Sequence, residues 1–247
     1  MCTVSYSPLR GGGHVITSNR DERTARHGRP AGPWMHEGAV LLAPKDALTG
    51  TTWIAASSLG RTVCLLNGAE GTMHFAEQPA RSRGTVLLEM ASALDALVPL
   101  VQSELTDMHP FTLISAEHHT LWMLRWDGRD RCVCTLDTER PQVWSSPTLY
   151  DESVRAERDA HFDRMVKRTS WPTPDDVWEF HNRPHLSDGE QAVVMEREGD
   201  LRTVSITQAI MEPSGLVTMR YLDLITGEER TRQLSTKPFD LPSAANA

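Results

Sequence analysis

The sequence predicts an α+β fold of two largely antiparallel sheets with helices on their outer faces. Three observations carry this. Short apolar runs punctuated by Gly, Pro, Asn and Asp dominate the 247 residues. Few stretches carry a helical period, and strand candidates follow one another through hairpin-length connections rather than crossover helices.

Residues 2–7 alternate polar and apolar, and Gly11, Gly12 and Gly13 return the chain to a second strand at 14–19. Residues 26–33, rich in Gly and Pro, read as an exposed loop. Short strands follow at 39–42, 51–55 and 61–66. From Thr85 the period changes: Leu87, Met90, Leu94, Leu97, Val98 and Val101 form one stripe of a helix ending near Leu105, with Pro99 marking a kink or an earlier end. Strands at 111–115, 121–126 and 131–136 come next. A second helix spans 151 to about 167, with Val154, Arg158, His161, Phe162 and Met165 inward, and a third opens at Thr173-Pro174. Strands at 191–196, 201–210, 216–224 and 229–234 close the pattern. No repeat or linker divides residues 1–237, which read as one domain, and residues 238–247 read as a frayed tail.

Net charge is −8, which argues against a nucleic-acid partner, since such proteins neutralise phosphates with clustered Lys and Arg. No apolar run approaches the roughly 20 residues of a membrane span, and the first ten residues lack a signal-peptide pattern. Four cysteines are too few for a disulfide scaffold and point to free thiols in a cytoplasmic setting. Cys132 and Cys134 lack the further ligands of a structural zinc site and read as a buried pair, with Cys64 in the core. No phosphate-cradling glycine motif is present. No metal or required cofactor is expected.

Cys2 follows Met1 and is small enough for Met1 to be removed. Its thiol and α-amine would then form a nucleophile and base in one residue, the amine having a reference pKa near about 7.7–8.0. In a strand Asn19 and Asp21 share one face while Arg20 and Glu22 take the other. Asp21 can thus orient the Cys2 amine. Trp53, Trp122, Trp126 and Trp144 fall on strands, as core residues or as the lining of a flat apolar cleft.

Met1-Cys2, Asn19-Arg20-Asp21-Glu22 with Arg26 and Pro30, Gly50-Thr51-Thr52-Trp53, Leu66-Asn67-Gly68, Arg81-Ser82-Arg83-Gly84, residues 111–114 and Arg202-Thr203 occur in an order that resembles the NRDE family, also called the transport and Golgi organisation family. Thr51 stands where that family usually has a second glycine. The family is similar in turn to the cysteine N-terminal-nucleophile (Ntn) hydrolases, among them penicillin V acylase and bile salt hydrolase. The resemblance implies an αββα sandwich, with Cys2 as nucleophile on an amide carbonyl and Asn19 and Asp21 as the Asn-x-Asp segment. It implies Asn67 as an oxyanion donor, Ser145 in the place of a second one that is Asn in the acylases, and Arg202 as the late arginine. Ser18 departs from the acylases' early arginine. The candidate binding residues are Asn19, Arg20, Trp53 and Trp144.

Two functions remain open at this stage. One is an amidohydrolase or acyltransferase acting on a non-peptide amide of a small acylated molecule. The other is non-catalytic binding and trafficking of haem or lipid, which the family resemblance implies. The sequence leaves the oligomeric state unspecified.

Overall fold

The computed structural model describes residues 3–26, 28–77, 79–182, 193–197 and 199–236. The expected tail at 238–247, and residues 191 and 192 of the expected strand at 191–196, lie outside them. One sheet has the order β10 (Gln142–Ser145), β1 (Thr3–Pro8), β2 (His14–Arg23), β11 (Leu201–Met211), β12 (Leu216–Asp223), β13 (Glu229–Ser235). The other runs β3 (Gly28–His36), β4 (Ala39–Asp46), β5 (Ile54–Ser57), β6 (Arg61–Asn67), β7 (Phe111–Glu117), β8 (Thr120–Trp126), β9 (Arg131–Thr135). Every pairing is antiparallel, as hairpin connections require.

The sheets face each other over one core. Val4, Tyr6, Ile16, Met219 and Tyr221 from the first meet Leu41, Ile54, Val63 and Leu113 from the second. Alternation along β2 sends the neighbouring Val15 the other way, into a cluster with Phe162, Met165, Val177 and Phe180. Those residues belong to α3 (Glu152–Thr169) and α4 (Pro174–Asn182), so these helices cover the outer face of the first sheet. α1 (Arg83–Ser92) packs on β4, β5 and β6 outside the second, followed by α2 (Leu97–Gln102). The expected layer order of helix, sheet, sheet, helix is the observed one.

Several elements differ from the sequence reading. Of the expected strand at 191–196, the described residues 193–196 form no strand, and Glu196 makes only an isolated β-bridge to Arg202. Residues 28–36 form β3, an edge strand paired only to β4. Prolines are tolerated there because an edge leaves N–H positions unpaired, and the register shifts between Arg29 and Gly32. The 51–55 strand starts later, at Ile54.

The long helix is two helices. Arg61, fully buried, donates to Met90 O at 2.6 Å and Ala93 O at 2.8 Å, satisfying the last carbonyls of α1 and ending it. The chain restarts so that Pro99 falls in the first turn of α2, where its missing N–H costs nothing. The break resets the helical phase. Leu87 and Met90 are buried as expected, but Leu94, Leu97, Val98 and Val101 are exposed.

Cys64 is core, whereas Cys132 is exposed and Cys134 half-buried, because β9 is an edge strand. The β1–β2 turn needs its glycines. All three have positive φ, and a Cβ on Gly13 would lie 2.1 Å from Met211 O. Among the described residues, no helix is long and apolar enough to cross a membrane.

Candidate active site

Cys2 lies outside the described residues. Thr3, joined to it, is opposite Asn19 of β2 on one side and Ser145 of β10 on the other. The start of β1 is therefore flanked by two segments the sequence singled out.

β2 distributes its motif over two faces, as the period-2 argument expects. Asn19 is fully buried on the helix side. Its Nδ2 donates to His181 O and Val193 O, both at 3.0 Å, and its Oδ1 pairs with His181 Nδ1. His181 Nε2 reaches Ser5 Oγ at 2.8 Å. Asp21 shares this face and accepts from Tyr150 Oη at 2.9 Å and from Thr203 Oγ1 at 2.6 Å. The Tyr150 ring lies 3.7 Å beneath the guanidinium of Arg158, which donates to Thr3 Oγ1 at 2.7 Å. Two oxygens with one donor each leave Asp21 capacity to accept further bonds.

On the opposite face Arg20 is 3% exposed and donates to Asp46 Oδ2 at 2.8 Å and to Arg26 O at 2.5 Å. Its guanidinium stacks 4.6 Å over Trp53. Burial lowers the Arg20 pKa, and Asp46 opposes this. Burial also acts to raise the Asp46 pKa, but the Thr49 and Leu48 amides and the charges of Arg26 and Arg20 hold it below the usual carboxylate value.

Arg20, Trp53 and Asn67 line one open cleft, together with Glu22, Arg26, Asp46, Ser82 and Arg83. Asn67 ends β6 at a turn whose Gly68 has φ +82°. Ser146 Oγ donates to Asn67 O at 2.7 Å, and Thr112 Oγ1 to Gly68 O at 2.9 Å. With its backbone held this way, the Asn67 carboxamide has no partner among the described residues.

The remaining candidates are elsewhere. Ser145 and Trp144 line an adjoining pocket with Leu66, Arg125, Arg155 and Asp159. The buried Ser145 Oγ has no hydrogen-bond partner among the described residues. Arg202 is opposite Glu22 across β2–β11 but ion-pairs with Glu196 at 3.4 Å and does not line the cleft. Sequence reasoning did not assign roles to Tyr150, His181, Thr203 or Asp46. Thr203, adjacent to Arg202, was the available signal for one of them. The other three are distant in sequence and carry no local pattern.

Two antiparallel sheets face to face between helix layers, with the first strand held inside one sheet, define the Ntn-hydrolase fold. The protein is similar to the Caenorhabditis elegans ortholog of N-acylethanolamine-hydrolyzing acid amidase, with TM-score 0.58 and 14% identity over 85% of this chain and 92% of that one. It is also similar to two variants of conjugated bile acid hydrolase from Clostridium perfringens, each with TM-score 0.57 and 10% identity over 99% of this chain and 100% of that one. At these identities the likeness is one of fold. No curated protein matches in sequence. The chain belongs to the Transport and Golgi organisation 2 family, whose profile matches residues 1–144.

Proposed function

We propose that this protein is an Ntn amidohydrolase or acyltransferase acting on a linear amide of a small acylated molecule. Cys2, freed by removal of Met1, is the nucleophile. The observation that carries the reading is the Asn67 carboxamide, unpartnered in a cleft beside Arg20 and Trp53 while Ser146 holds its backbone. An amide bound in that cleft lies on the side of β1 to which Val4 and Tyr6 turn, and Cys2 has their parity in the sequence.

In this mechanism the Cys2 α-amine takes the thiol proton and the thiolate adds to the amide carbonyl. Asn67 Nδ2 donates to the oxyanion, a contribution of roughly 3–4 kcal/mol when such a donor is well placed. The amine returns the proton to the departing nitrogen as the C–N bond breaks, leaving a thioester. Water, or an acceptor amine, then cleaves the thioester by the same steps. Asp21, held by Tyr150 and Thr203, is the positioning residue for the protonated amine.

The test combines intact mass with turnover of N-acyl amino acids, acyl-homoserine lactones and β-lactams by untagged protein. Support requires loss of Met1, turnover of at least one amide, no turnover by Cys2→Ala, and about 10²–10³ slower turnover by Asn67→Ala. Retention of Met1, or inertness on every amide with saturable haem binding at the Soret band, overturns the proposal.

A further inference from the structure

The charges lining the cleft do not balance. Asp46 is fully engaged, receiving Arg20 at 2.8 Å, Arg26 at 3.0 Å, and the amides of Leu48 and Thr49, each at 3.0 Å. Glu22 receives Arg26 at 2.9 Å and the Arg23 amide at 3.1 Å. The third arginine, Arg83, makes no ion pair among the described residues. Only its Nη1 is used, donating to Pro110 O at 3.2 Å. Three guanidiniums therefore face two carboxylates, and both carboxylates are taken.

Burial, with the charge of Arg26, lowers the Arg83 pKa to about 10 against the opposing charge of Glu22, which leaves it cationic at neutral pH. A half-buried cation with one backbone acceptor and no ion pair has lost hydration without a charge contact to replace it, so an incoming anion is favoured there. Arg83 is also the first residue of α1, which has no acidic side chain in its first turn, so the positive end of the helix dipole adds to the same potential. Trp53, a wall of the same cleft, is 4% exposed and its Nε1–H has no partner among the described residues.

We propose that the Arg83 end of the cleft is a carboxylate subsite, so that the amide processed at Asn67 belongs to a molecule bearing a free carboxylate. The unused Nε and Nη2 of Arg83 form a planar two-donor edge, which matches a carboxylate bidentately. Asn67 and Arg83 line the same cleft, so one ligand can contact both. This subsite deepens the amidohydrolase reading and rests on it for the role of the amide.

Its test reads binding separately from turnover. The full chain carrying Cys2→Ala is titrated calorimetrically with N-decanoylglycine and with its neutral counterpart, N-decanoylglycinamide. The carboxylate is expected to bind at least about tenfold more tightly, with the preference shrinking as salt is raised. Adding Arg83→Met should remove the preference and Arg83→Lys should keep part of it, with unchanged melting temperatures. Equal affinity for the two compounds in the Arg83 protein, or a preference that survives Arg83→Met, overturns the subsite. Should Arg83→Met fail to fold, the paired ligands and the salt series on unaltered Arg83 still decide. Turnover of both compounds by the unsubstituted protein without preference overturns the subsite and leaves the amidohydrolase. Charge-selective binding without turnover of any amide leaves the subsite and overturns the amidohydrolase.

Discussion

The Ser146 hydroxyl donates to the carbonyl oxygen of Asn67 at 2.7 Å, tying the segment after β10 to the turn after β6. Ser146 also bonds to Thr148 Oγ1 at 2.9 Å. Strands from opposite sheets are thereby joined beside the start of β1. The joint is tight, since a Cβ on Gly68 would lie 2.6 Å from Thr148 Cγ2 and 3.2 Å from Pro147 Cγ.

Gly68→Ala should therefore destabilise by about 1–3 kcal/mol, because a residue at φ +82° acquires both backbone strain and a clash. Ser146→Ala, which removes a hydrogen bond without changing the backbone, should cost about 1 kcal/mol. Urea unfolding of both variants checks the order. A Gly68→Ala protein as stable as the unsubstituted one would mean the turn is free to move.

Asn19→Ala should be a severe stability variant. Its side chain satisfies the carbonyls of His181 and Val193 and pairs with the His181 ring, all buried. Each buried polar group left unsatisfied costs about 1–3 kcal/mol, and the losses are not additive. A drop of at least about 3 kcal/mol in urea unfolding is expected, with Asn19→Asp little better because it supplies no donor to the two carbonyls. An Asn19→Ala protein of normal stability would show that this network contributes little.

Much of this arrangement was legible in sequence because alternation in a strand is a local rule. The parity of Asn19, Arg20, Asp21 and Glu22 separated the helix-side residues from those on the cleft side, and contacts with His181 and Asp46 bear out the two faces. The helical stripe beyond Met90 was misread because a fully buried arginine from β6, about thirty residues earlier in the chain, ends α1. Pro99 signalled a break without giving its place. Residues 26–33 read as a loop, although β3 covers most of them, because Gly and Pro content does not distinguish a loop from an edge strand. Tyr150 and Arg158 reach Asp21 and Thr3 through tertiary packing, which no spacing in the sequence reports.

His14 gives the fold an acid sensitivity separate from its carboxylates. The ring is buried between the sheets, with Nε2 at 3.0 Å from Thr62 Oγ1 and its face stacked on Tyr6. Burial, with the nearby His118, lowers its pKa from the ordinary 6.5 to about 3. Below pH 6.5 the unfolded chain takes up a proton that the folded protein refuses until about pH 3. Stability therefore falls with acid in that window, by up to about 1.4 kcal/mol per pH unit for one group. Urea unfolding at pH 6.5, 6 and 5 should show a shallower decline in His14→Gln than in the unsubstituted protein. Parallel declines would assign the sensitivity to other groups.

Thiol labelling separates the cysteines by environment. Cys64 is fully buried and its pKa is raised to about 12, chiefly by burial, so it should stay unmodified in the native protein. Burial also raises the Cys134 pKa, with Cys132 adding to the shift. Cys132 is exposed on the edge strand β9. Limiting iodoacetamide followed by peptide mapping should therefore modify Cys132 well before Cys134, and Cys64 only after denaturation. The proposed mechanism makes a further demand, because an α-amine beside the Cys2 thiol assists its ionisation. Cys2 should then label ahead of Cys132, and its lead should widen as pH is lowered from 8 to 6. Asp21→Asn should narrow that lead by weakening the hold on the protonated amine, while the rate at Cys132 stays unchanged. Cys132 labelling first at every pH would count against Cys2 as an activated nucleophile and leave the order of the other three thiols untouched.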